Sequence, residues 1–321
     1  MLRLGKLDND DLDRLVLKKF RRVRPESLSS PTIGQDCAVV DLDGDLLVLS
    51  CDPITSASVA HLGRLTVHVS CNDAAAAGAE PVGLLVTLLM PTTGTMEQIA
   101  QIADDLSAAA QLANVDILGG HTEVTDAVSR AVTSATVIAR QSRNQVLRGM
   151  RPGDDIVMTK YAALEGTTIL AEDFPDRVST VSAKQIQAAC KLAGQLSIVP
   201  ESRIAMRNGA VAMHDVTEGG VLGASWELGF ANHCSVEIDS MKIPVLEETR
   251  ALCAALSLDP LRLIGSGSLL IACEDGAALC NALQKAGIPA AVIGKAIVGN
   301  TSFVDGNILE EPHADELYRL Y

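Results

Sequence analysis

Apolar residues recur along this chain at two periods, and the places where one period gives way to the other outline its elements. Residues 10–24 set Leu12, Leu15, Val16 and Phe20 at helical spacing, which predicts an amphipathic helix ending in the basic run KKFRRVR. That run reads as a solvated face, with a role in receiving phosphates as the alternative. CAVVDL and LLVLSC are strand-like and flank the turn signal Asp43-Gly44, so they form a predicted hairpin. In HLGRLTVHVSCNDAAAAGAEP, Leu62, Leu65, Val69, Asn72 or Asp73, and Ala76 share one helical face, which Gly78 and Pro81 close. VGLLVTLLMP then reads as a buried strand, and MEQIAQIADDLSAAAQLAN as a helix with Ile99, Ile102, Ala103, Leu106 and Ala110 on one side. VDILGGHTEV is expected to be a strand running into a glycine turn, and RAVTSATVIAR another strand.

The polar stretch RGMRPGDD, with its Pro-Gly, is the expected boundary between domains spanning 1–148 and 149–321. Beyond it, DIVMTK, GAVAMHDV, SGSLLIACE and AAVIGKAIVG read as strands, and TVSAKQIQAACKLAGQL, the stretch after HDVTEGG, and GAALCNALQKAG as helical. Both halves mix hairpin signals with crossovers. The expected fold class is therefore α/β with mixed sheets, not a clean doubly wound sheet.

Composition narrows the partners. Hydrophobic residues make up 48% and aromatics only 2%, so the cores must be built from Ala, Val, Leu and Ile. A net charge of −14 and the lack of rings for base stacking argue against nucleic acid. No long uncharged run suits a membrane span, and MLRLGKLDNDDLDRL has no apolar signal core, so a cytoplasmic location is expected. The eight cysteines show no CxxC or disulfide spacing. Cys37, Cys51 and Cys71 stand within two residues of Asp36, Asp52 or Asp73, either as small hydrophobes at crowded strand ends or as part of a thiol-sensitive site.

Candidate chemistry gathers where apolar runs stop. Asp36, Asp52, Glu123 and Asp215 lie at such ends, and Asp73 lies on or beside an apolar helical stripe, where a carboxylate requires a cation or a donor. Each alone has a plain explanation in turn chemistry. Together they suggest a hard cation such as magnesium, which takes carboxylate and phosphate oxygens. Gly119-Gly120 and Gly219-Gly220 would let backbone amides approach a phosphate, although such pairs also mark tight turns. GxxxxGK[ST], GxGxxG and GxSxG are absent, which disfavours P-loop, Rossmann and nucleophile-elbow sites. GSGS at 265–268 reads as a backbone turn.

IGQDCAVVD, SCDPI, CNDAAAAGAEP, LGGHTEVT, HDVTEGGV and SGSLLIA, in that order, resemble the aminoimidazole ribonucleotide synthetase (PurM-like) superfamily, which includes selenophosphate synthetase, thiamine-monophosphate kinase and hydrogenase maturation factor E. The likeness is nearest to the synthetase-related, maturation-factor-like branch. It implies a two-domain PurM-like fold, with an N-terminal domain that closes a β-barrel across a homodimer. It also implies ATP and magnesium bound between the domains, and phosphoryl transfer to a small-molecule oxygen. On that resemblance Asp36, Asp52, Asp73 and Asp215 fall at metal positions. Asp73, His121 and Asp215 are the implied catalytic residues, and Asp36, Asn72, Gly119, Gly120, Thr122, Glu123, Thr217, Gly219 and Gly220 the implied nucleotide contacts.

The chain also departs from the pattern. Gln35 replaces one acid of the usual pair in the first motif, and His121 stands where kinase and maturation-factor relatives often carry Asp. The rival expectation is a catalytically weak nucleotide-binding maturation partner. Maturation factor E ends in a reactive cysteine, whereas the sequence here ends HADELYRLY with Cys280 the nearest thiol, so carbamoyl-thiol dehydration is not expected.

Overall fold

The computed structural model describes residues 9–15, 17, 26–29, 32–33, 37–41, 44–55 and 57–321. Helix α1 (Asn9–Leu15) is the described part of the first predicted helix. KKFRRVR lies outside the described residues, as do Gln35 and Asp36. The described residues form two compact units, one holding those within 37–146 with 26–29, the other 147–321 with those within 9–17 and 32–33.

In the first unit, β1 (Ala38–Asp41) and β2 (Leu46–Ile54) form the antiparallel hairpin that the turn signal predicts. The long helix α2 (Val59–Ala76) follows, then β3 (Glu80–Pro91), α3 (Met96–Ala113), β4 (Asp116–Thr125) and β5 (Val132–Gln141). The strands form one sheet in the order β1-β2-β5-β3-β4, with β3 and β4 parallel and the other pairs antiparallel. Alternation sets the layers: Thr133, Ala135, Val137 and Ala139 are buried at every second position of β5, and Leu46, Val48 and Ser50 at every second position of β2. Helix α2 packs on these strands and α3 packs on α2, where the Arg64 guanidinium meets Asp105 at 2.9 Å.

Both helices are closed as the sequence directs. Gly78, at φ 75°, ends α2; its amide donates to Ala75 O and that of Ala79 to Ala74 O, the paired bonds that satisfy a helix's last carbonyls. Thr95 and Gln98 cap α3 reciprocally. On α3 the buried face is Ile102, Leu106, Ala109, Ala110 and Ala113; Ala103, expected on that side, sits at the margin of the stripe beside Ala110 and is exposed.

One element differs from expectation. Gly119 and Gly120 form no turn but lie inside β4. The register skips from the Leu84–Ile117 pair to Leu85–Gly119, so Leu118 is an inserted residue, a β-bulge. Gly120, at φ 145°, passes so near β3 that a Cβ there would stand 1.8 Å from Val86 O. Glycine is required by that strand approach.

The second unit carries a seven-stranded sheet, β6 (Asp155–Thr159), β7 (Ala210–Asp215), β8 (Ser235–Ile238), β9 (Leu269–Cys273), β10 (Ala290–Ile297), β11 (Phe303–Val304) and β12 (Asn307–Ile308). Its order is β12-β11-β8-β10-β6-β9-β7, antiparallel except for the β11–β8 pair. Helices α4 (Leu164–Asp173), α5 (Ala183–Cys190), α6 (Val199–Arg207), α7 (Gly220–Ala231), α8 (Glu247–Leu256) and α9 (Gly276–Lys285) surround it. One core cluster joins Ile156, Met158, Val211, Leu228, Ile238 and Leu270; another joins Ala163, Leu170, Leu252 and Leu317. Both use aliphatic side chains, as the scarcity of aromatics requires. No helix among the described residues is long and apolar enough to cross a membrane.

Candidate functional site

In the first unit, α2 carries Asn72 and Asp73 into the interior, where Asp73 keeps only 5% exposure. The donor that such a carboxylate requires is the hydroxyl of Ser50, which bonds Asp73 Oδ2. Ser50 lies on the helix-facing side of β2, and Asp52, two residues further on, shares that side by the two-residue period of a strand. Two of the predicted acids are thus brought to one face of β2. The nearby Cys71 thiol is pushed up to about 12 by burial and by the charge of Asp73, so it stays protonated. Cys37 is also buried, while Cys51 is exposed with its sulfur 3.6 Å from Ser134 Oγ.

His121, Thr122 and Glu123 lie on β4, exposed along nearly its whole length. His121 Nε2 and Glu123 Oε2 approach to 3.3 Å, as side chains two apart on one strand face can.

In the second unit, β7 ends on His214 and Asp215, both buried, and the turn Thr217–Gly219 leads into α7. His214 Nδ1 lies 2.7 Å from the carbonyl of Asp215, while its Nε2 faces Glu227 at 3.6 Å. The Gly219 amide, which sequence reasoning offers to a phosphate, donates at 2.7 Å to Asp315 Oδ2. A carboxylate therefore stands at the positive end of α7.

Sequence reasoning missed three features of these sites. Ser50 gave no signal, because a serine in a strand is unremarkable until the helix above it is placed. Lys160, at φ 53°, buries its ammonium against Glu201 Oε1 at 2.7 Å and the carbonyls of Gln195 and Ser197 at 2.8 and 2.7 Å. Burial pulls its pKa down while Glu201 opposes the shift, and with three acceptors the group is a structural pin. The third is an acidic cluster of Glu165, Glu218 and Asp315, whose members are far apart in sequence. Among the described residues, no three His, Cys, Asp or Glu side chains converge as metal ligands.

The descriptions "AIR synthase related protein, N-terminal domain" and "C-terminal domain" match residues 34–140 and 151–307. Over 257 residues the chain is 30% identical to the carbamoyl dehydratase HypE of Azotobacter vinelandii, covering 76% of this chain and 72% of that protein. It is 28% identical over 213 residues to a putative hydrogenase expression/formation protein, MJ0676 of Methanocaldococcus jannaschii; this match covers 66% of the chain and 62%, less than two thirds, of that relative. Solved structures share the fold. HypE in its complex with HypF aligns at TM-score 0.76 and 18% identity over 94% of this chain and 99% of that one. AaThiL complexed with AMPPCP and TMP aligns at 0.76 and 19%, over 97% and 98%. HypE in complex with ATP aligns at 0.68 and 22%, over 97% and 96%.

Proposed function

Because this chain belongs to the AIR synthase-related family and has its two-domain PurM-like fold, we propose that it is an ATP- and magnesium-dependent enzyme that transfers a phosphoryl group to a small-molecule oxygen. Nucleotide complexes among proteins of like fold support the ATP part of this reading. The observation that carries it is the delivery of Asp73 by α2 to the face of β2 that bears Asp52. Such an oxygen-only donor pair fits magnesium, a hard cation that retains waters and shares phosphate oxygens. Bound there, the metal would supply neutralisation of phosphate charge.

The chain's own groups do the remaining work by positioning. Asp52 and Asp73 would hold the cation, and Asn72 would brace Asp73 or meet a phosphate; Asp36 and Asp215 remain proposed only as acidic positions that the resemblance implies. His121, Thr122 and Glu123 offer exposed polar side chains from β4, and Thr217 and Gly220 offer the start of α7. We place the functional division at 148/149, with nucleotide binding and dimerisation assigned to the N-terminal part. Support for a homodimer, with a barrel closed across it, comes from β4. Ile117, Leu118 and Val124 on this edge strand, and Val82 and Leu85 on β3, are 40–57% exposed apolar side chains. An open edge of that kind invites pairing.

A second reading, a nucleotide-binding partner protein in maturation, is favoured by the likeness to HypE captured with HypF. ATP turnover against a panel of hydroxyl and carboxylate acceptors separates the two. The enzyme reading expects at least one acceptor to stimulate turnover and Asp73→Asn to abolish the stimulation; turnover unaffected by every acceptor favours the partner reading.

A further inference from the structure

The second unit holds a group of acids that the proposed chemistry does not use. Glu165, in the first turn of α4, is 8% exposed; it bonds Ser266, while its Oε2 has no hydrogen-bond partner. Asp315, 2% exposed, accepts from the amides of Gly219 at 2.7 Å and Leu317 at 2.8 Å, and from that of Ile264. Glu218 accepts the Tyr318 hydroxyl at 2.7 Å. The charges that act on Glu165 are those of Asp315 and Glu218, and the charge that acts on Asp315 is that of Glu218, so among the described residues the cluster gathers like charges. Among the described residues, Arg319 is engaged with Glu316 at 2.6 Å, Arg262 with Asp259 at 4.0 Å, and Arg177 with the carbonyl of Leu320 at 2.9 Å. Glu316 also accepts the Asp259 amide at 3.0 Å.

Two of these acids come from the turn before α7 and from α4, and the third from the segment 315–321, which is otherwise held by few anchors. Leu317 is buried in the α4–α8 core cluster with Leu320 packed against it, and Tyr321 meets the Phe174 ring edge-on at 5.6 Å. Pro312, just before it, lies close enough to the turn that a Cβ on Gly219 would stand 3.2 Å away. Without a cation, a buried carboxylate is stabilised by hydrogen-bond donors or by taking up a proton, and Glu165, with its Oε2 unbonded, depends more on the proton than Asp315 does.

We propose that residues 315–321 form a proton-keyed latch, locked onto the Thr217–Gly220 turn while Glu165 and Asp315 carry protons and loosened when both ionise. Burial pushes Glu165 up to about 7, against the bond from Ser266 and with the added repulsion of Asp315 and Glu218. Burial likewise pushes Asp315 up to about 6, against its three backbone donors. Raised carboxylate pKa values mean that the docked state holds more protons than the open one, so docking weakens as pH rises through about 6 to 7. Opening would free the Gly219 amide and the positive end of α7. The latch goes beyond the proposed activity and stands or falls apart from it.

Hydrogen exchange read by mass spectrometry on the whole chain, corrected for the intrinsic pH dependence of exchange, tests the latch. Protection of a peptide covering 315–321 should fall at least about tenfold between pH 5.5 and 8, a tenfold change corresponding to one unit of pKa difference. A peptide from β9 should not change. Glu165→Gln, a neutral isostere, should hold protection at pH 8 near its pH 5.5 value. Tyr318→Phe, which removes the bond to Glu218, should lower protection at both pH values while leaving their ratio intact. A flat pH profile in the native chain, or a Glu165→Gln profile that follows the native one, would overturn the latch; should that variant not fold, the native profile decides alone.

Discussion

Two edge strands, β4 and β7, both carry candidate residues and differ sharply in their surroundings. All but the last residue of β4 are exposed, whereas every residue of β7 after its first is buried. The difference lies in what covers them. Strand β7 packs beneath α6 and α7 of its own unit, while α3, the helix nearest β4, rests mainly on α2. A strand covered by its own chain can hold a charged residue such as Asp215 at a fixed depth. An uncovered one presents His121 and Glu123, and an apolar row beside them, to whatever comes next. Among the described residues, the second unit covers β7 with its own helices, while the first leaves β4 exposed.

That contrast can be broken by substitution, and the largest effect should come from the covered strand. Val211→Asp places an unpaired carboxylate among Ile156, Leu228 and Leu270, and should cost at least about 3 kcal/mol or prevent folding of the second unit. Thermal melting followed by circular dichroism checks it, and a shift within 1–2 °C would mean that β7 is not sealed. Gly120→Ala should come next, at about 2–3 kcal/mol, because its methyl group would collide with Val86 O between strands that cannot separate without loss of their ladder. An unchanged denaturant midpoint would show that the bulge relaxes. Asp73→Asn keeps the volume and the bond to Ser50 but removes the charge, so stability should change by less than about 1 kcal/mol while affinity for magnesium–ATP falls on the order of a hundredfold. Titration calorimetry with the folded variant reads this directly, and undiminished affinity would make Asp73 structural. The smallest effect on the fold should be that of Val124→Asp on exposed β4, within about 0.5 kcal/mol, yet it should convert a dimer to a monomer in light scattering. A native chain that scatters only as 33.7 kDa would remove the dimer from the proposal.

The sequence made local periodicity legible and long-range company illegible. The hairpin, α2, α3 with its Thr95–Gln98 cap, and the apolar strands β6, β7 and β9 were readable because each is written within a single stretch of residues. Asp73 was readable as an anomaly, a carboxylate on an apolar stripe, but its donor Ser50 was not, since only the folding of α2 over β2 unites them. Gly119-Gly120 was misread as a turn because a bulge and a turn use the same residue, and only the register with β3 tells them apart. The group of Glu165, Glu218 and Asp315 left no local trace, for its members meet only after residues separated by about half the chain are brought together.

The central claim is that the acidic site of the first unit welcomes a polyphosphate only through a metal. Calorimetric titration of the native chain with ATP, once in excess magnesium and once in EDTA, tests it most directly. With a net charge of −14, the chain should bind ATP in magnesium and at least about tenfold more weakly without it. Equal or tighter binding in EDTA would contradict the account.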